Sequence, residues 1–170
     1  MSASETPSPS SGSPFWRFSL RFYRQHEVAD ACIALQEKAG VDVNLLLFLL
    51  WHATQKRALS QADVAELERR IAPWRNMTVI PLRTMRRALK SPPTLVAGAS
   101  AELFRTKIKA VELEAERLQQ EAMHAMAAGI VSEAAPSSEA AARASIAAYE
   151  NVTGHPFTPA AVDTLIAALK

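Results

Sequence analysis

The stretch GVDVNLLLFLLWHA, residues 40–53, sets two polar side chains, Asp42 and Asn44, at the mouth of a seven-residue apolar run from Leu45 to Trp51. An Asp just before such a run is a helix N-cap, its carboxylate accepting from a free N–H two or three residues on. A helix that is apolar nearly all round has no solvent face, so this one belongs at the centre of the fold. Asn44, in its first turn, then points inward, where an unpaired amide would cost about 1–3 kcal/mol. It is expected to meet a polar partner.

Working outward, Gly40 stops a preceding helix over about 27–39, in which Val28, Ala31, Cys32, Leu35 and Ala39 recur at helical spacing. Ser13-Pro14 is a capping pair that opens the first helix. Trp16, Leu20 and Tyr23 lie on one side of its apolar arc and Phe15, Phe18 and Phe22 on the other, with Ser19 between them and Arg17, Arg21 and Arg24 opposite. Downstream, Ser60 caps a helix that buries Val64, Leu67 and Ile71 and ends at Pro73, and a fifth helix covers 74–90 with a bend near Pro81. Residues 91–94 form a loop, and a long helix over about 100–128 carries Phe104, Ile108, Val111, Ala115, Leu118 and Ala122 on one stripe.

The expected architecture is all-α, a single compact bundle of about six helices over residues 13–129. Residues 1–12, rich in Ser and Pro, are expected to be disordered. Residues 130–170, rich in Ala and poor in large apolar groups, are expected to form a weakly packed helical appendage, with short helices at about 138–150 and 159–169.

Composition narrows the chemistry. Of 170 residues, 49% are hydrophobic and only 5 are glycine, which favours helices and leaves no glycine-rich phosphate loop. Cys32 is the lone cysteine, so neither an intrachain disulfide nor a zinc-finger ligand set can form. No export signal or membrane-length apolar run is visible, which fits a cytoplasmic protein. The net charge of +2 is small, but its distribution is uneven: residues 69–90 hold seven basic side chains and no acid, and residues 111–121 hold four glutamates against one arginine.

Three separated blocks, FWRFSLRFY (15–23), ACIALQEKAGVDVNLLLFLLW (31–51) and PLRTMRRALK (81–90), carry a resemblance. Over about residues 14–120 the chain resembles a bacterial family of conserved hypothetical proteins, a domain of unknown function whose members look like small, all-helical cytosolic proteins. The resemblance implies a fold and brings no activity with it.

Candidate functional residues follow from the residues themselves. Arg83, Arg86, Arg87 and Lys90 occupy about one quadrant of their helix, beside an apolar face of Leu82, Met85 and Leu89. Such guanidinium groups either fork onto a partner's phosphates or carboxylates, or pair with Glu112 and Glu116 of the long helix. If the third and fifth helices are neighbours, Asn44, Trp51 and the first arginine converge on a polar pocket. His52 closes the central helix, where the macrodipole favours it in a structural role, and it is a further candidate for a pocket lining. Ser19 and Cys32 read as core, the serine bonding back to the carbonyl four residues earlier. No catalytic residue, metal-ligand set or cofactor motif is assigned.

The sequence therefore points first to a non-enzymatic interaction module whose basic helix meets an unidentified protein partner, a second copy of the chain included. Another class is a small anionic-ligand binder or enzyme lined by Asn44, His52, Arg83 and Arg86. A third is an RNA- or ribosome-binding protein using Arg17, Arg21 and Arg24 together with the second basic stripe; its affinity would fall steeply with salt.

Overall fold

The computed structural model describes residues 12–170, so the disorder expected at the N-terminus falls, apart from Gly12, outside the described residues. These residues form α1 (Pro14–Tyr23), α2 (Val28–Ala39), α3 (Val43–Thr54), α4 (Gln61–Trp74), α5 (Ile80–Ala88), α6 (Gly98–Ala127), α7 (Ser138–Thr153) and α8 (Pro159–Ala167). The described residues are all-α apart from one small antiparallel ladder, which pairs β1 (Arg57–Ala58) with β2 (Glu133–Ala134).

Local chemistry sets the helix starts. Ser13 Oγ accepts from the Trp16 N–H at 3.0 Å ahead of Pro14, and Asp42 Oδ1 accepts from the Leu45 N–H at 3.1 Å. Ser60 and Asp63 cap α4 reciprocally, each side chain taking the other's backbone N–H at 3.2 Å. Gly40 ends α2 at φ +66°, a conformation that side chains with a Cβ rarely adopt.

The central rod is α3. Leu45, Leu46, Phe48, Leu49 and Leu50 are fully buried, enclosed by α1, α2, α6 and α7. α5 and α6 pair as a hairpin, and α8 rests on α2.

Two expectations about helix courses are corrected. α4 does not stop at Pro73 but runs to Trp74, and Arg75–Val79 continue it as a π-helical turn into α5. Pro73 and Pro81 each lack an N–H, and the wider turn between them, where the Ile80 N–H reaches Arg75 O, keeps the chain helical through both.

The long helix is also rotated relative to expectation. Phe104, Val111 and Leu118 remain 44–53% exposed, while Ala101, Glu112, Ala115, Gln119, Gln120 and Met123 face inward. Polar groups take the buried side because the surfaces they meet, α5 and the start of α3, are themselves polar.

The Ala-rich segment is not weakly packed. Ala141, Ala142, Ile146, Tyr149, Phe157, Leu165 and Ile166 are buried in the same core as α3. Small side chains let α7 lie close against α3 and α4, and two buried hydrogen bonds fix it: Leu59 N–H to Ser145 Oγ at 3.0 Å and Asp42 N–H to Tyr149 Oη at 2.8 Å.

Candidate functional site

Asp42, the cap of the central helix, is also the hub of a buried ionic group. Its Oδ2 accepts from Arg75 Nη1 at 3.3 Å and from Gln119 Nε2 at 3.0 Å. Arg75 in turn donates to both oxygens of Glu68, at 3.0 and 2.7 Å. Burial works against the Arg75 charge, but the two carboxylates outweigh it and hold the guanidinium firmly protonated. The π-helical turn carries Arg75 into this position.

Two residues further along the chain, Asn44 Oδ1 accepts from Gln120 Nε2 at 2.8 Å, the partner that an inward amide requires. Beside them α5 faces α6. Arg83 donates to Glu112 at 3.2 Å and to Glu116 at 2.9 Å, and Arg86 donates to both oxygens of Glu112. The Glu112 side chain is only 7% exposed. Burial, reinforced by the neighbouring Glu112 charge, raises the Glu116 carboxyl above the usual carboxylate range despite the opposing pull of Arg83.

Asn44 and Arg83 line two cavities, each of about 360 Å³. One opens between α2 and α5 over Gly40, Asp42 and Arg75. The other lies under α1, with an apolar wall of Trp16, Leu20, Tyr23 and Leu47 facing the Arg83, Arg86, Glu112 and Glu116 group. Arg24, Arg87 and Lys109 border it as well, so five cations meet two carboxylates and the wall carries excess positive charge. Its size sits at the lower end of small-molecule sites.

Within that second lining, two buried atoms have no hydrogen-bond partner: Ser19 Oγ and Gln120 Oε1, in residues that are each 3% exposed. The bond expected from Ser19 back along its own helix is absent. Buried polar atoms left alone cost about 1–3 kcal/mol each, and such exceptions call for a specific cause.

The residues singled out from the sequence divide. Asn44, Arg83, Arg86 and Arg87 border the α1 cavity. Trp51 does not converge with them, because it lies two helical turns further along α3, among Phe15, Phe48 and His124. His52 is buried beside Phe48 and Trp51, its Nε2 unpartnered, and burial lowers its pKa to about 4, so it is neutral near pH 7. Lys90 is exposed past the end of α5. Of the two alternatives open to the basic stripe, pairing with the long helix holds for half of it: Arg83 and Arg86 bind Glu112 and Glu116, whereas Arg87 only approaches Glu37, at 3.8 Å.

Sequence reasoning missed Arg75, Glu68, Gln119 and Gln120. The pair Gln119-Gln120 in a helix of mixed polarity gives no local sign of burial, and its partners Asp42 and Asn44 lie 77 and 76 residues away. A readable signal was Arg75 between two prolines, where a regular helix cannot continue unchanged.

A family model described as "Protein of unknown function (DUF2390)" matches residues 14–123, and the chain belongs to that family. No curated protein and no solved structure matches it. The match takes in α1 to α5 and most of α6, hence every residue lining the α1 cavity, and stops short of α7, whose Tyr149 supports the Asp42 hub.

Proposed function

We propose that this member of the DUF2390 family binds a small organic anion in the cavity between α1, α3, α5 and α6. The observation that carries the proposal is the pair of partnerless buried atoms, Ser19 Oγ and Gln120 Oε1, in a lining rich in guanidinium groups. A hydroxyl and an amide oxygen without a partner, both closed off from solvent at the edge of the lining, gain one from a ligand's polar groups once the side chains over them part. The apolar wall of Trp16, Leu20, Tyr23 and Leu47 suits a hydrocarbon or aromatic body, and the excess cations suit an anionic head. Arg83 and Arg86, already oriented by Glu112, would lose little freedom on binding.

Thermal denaturation of the full chain with octanoate, an aromatic carboxylate or inorganic phosphate tests this. The organic anions are expected to raise the midpoint, since a ligand at about 100 times its Kd adds about 2.7 kcal/mol. Arg86→Gln is expected to reduce the effect. Stabilisation by inorganic phosphate alone, or by none of the three, would count against the proposal. The competing idea of a macromolecular partner on the basic helix rests on Arg87 and Lys90, the cations of that stripe that stay exposed.

A further inference from the structure

We infer that α6 carries a self-association seam, through which two copies of the chain pair with their α6 helices antiparallel. The observation is independent of the cavity. Phe104, Val111 and Leu118 repeat every seven residues and are 50%, 53% and 44% exposed, on a different side of the helix from Glu112, Gln119 and Met123, which face the core. At 1.5 Å per residue the row runs for about 21 Å.

The charges specify both the partner and its direction. Beside the row, Lys107 precedes Val111 and Glu114 follows it, whereas Glu112 and Glu116 are turned inward and bound by Arg83 and Arg86. An antiparallel copy therefore lays the basic end of this edge on the acidic end. Lys107 and Glu114 flank the row on the same side, four residues before and three after Val111. A two-fold axis at Val111 sets Val111 on its own copy, Phe104 on the second copy's Leu118, and each Lys107 beside the other copy's Glu114. A parallel pair would instead set Phe104 on Phe104 and separate each Lys107 from the other copy's Glu114. Glu114 now holds Arg117 at 2.6 Å on a half-exposed surface, a local contact of modest worth that can exchange for Lys107 of a second copy. Antiparallel alignment also opposes the two helix dipoles favourably.

Sedimentation of the purified full chain at high micromolar concentration tests the inference. A dimer is expected that becomes monomeric in Val111→Glu, with the helical circular dichroism unchanged because the site is exposed. Lys107→Glu should weaken association by about tenfold or more, and Lys107→Glu with Glu114→Lys should restore it. The double variant decides the matter even if Val111→Glu folds poorly. Under mild oxidation Val111→Cys should form a covalent dimer and Phe104→Cys should not; Cys32 is buried and does not interfere. A monomeric wild type, a dimer indifferent to Val111→Glu and to the charge exchange, or equal cross-linking at positions 104 and 111 would overturn the inference.

Discussion

Asp42 Oδ2 and Arg75 Nη1 stand 3.3 Å apart, the carboxylate side chain 3% exposed and the guanidinium side chain 18%. The residue that starts the central helix thus also anchors the π-helical turn between α4 and α5. Asp42→Ala removes the cap, leaves Gln119 without its acceptor and leaves Arg75 with Glu68 alone. Unfolding in urea should show a loss of about 3 kcal/mol or more, as for other broken buried pairs. Asp42→Asn should lose less, because its amide oxygen can still accept from the Leu45 N–H.

Tyr149 extends the same group beyond the family match, its hydroxyl accepting from the Asp42 N–H at 2.8 Å. Tyr149→Phe leaves that buried donor unpaired and should cost about 1–3 kcal/mol. Removing residues 130–170 strips Ile146, Tyr149, Leu165 and Ile166 from the core. Calorimetry of the shortened chain should show no cooperative transition.

His52 makes stability depend on pH. Its pKa falls from 6.5 to about 4 on folding, chiefly through burial, with the Arg57 and His124 charges adding to the effect. Between those values the unfolded chain binds the proton more tightly, so the stabilising effect is full above about pH 6.5 and is lost as pH falls through 4. The loss over that interval is on the order of 3 kcal/mol. Glu116, raised by burial, acts in the opposite direction, so the measurement compares wild type with His52→Leu. Denaturant titrations from pH 7 to pH 4 should show a shallower decline in the variant.

Ser19 separates stability from binding. Ser19→Ala deletes a buried hydroxyl that has no partner in the free protein. Its unfolding free energy should stay level or rise by up to about 1 kcal/mol, while the midpoint shift produced by an organic anion shrinks. Scanning calorimetry with and without octanoate checks both.

Much of this architecture is legible in the chain because burial of α3 is written locally: a run from Leu45 to Trp51 admits hardly any other reading. The same run makes Asn44 conspicuous as an inward amide. Direction was harder to read where the buried face is polar. α6 turns Glu112, Gln119 and Gln120 inward and leaves Val111 out, so apolar periodicity points to the wrong face. Its inward residues are explained only by Arg83, Arg86, Asp42 and Asn44, which no local window connects to them. α7 misleads for a different reason. Alanine contributes little area per residue, yet it permits close approach, and Tyr149 supplies the bulk.

The claim that matters most is that the cavity under α1 receives an organic anion, and side-chain NMR during titration with octanoate tests it most directly. Saturable shifts are predicted for the side-chain amides of Gln120 and Asn44, the Trp16 indole and Arg83 Nε, with α8 unmoved. Shifts confined to Arg87, Lys90 and the exposed start of α6, with Gln120 and Trp16 unchanged, would contradict it.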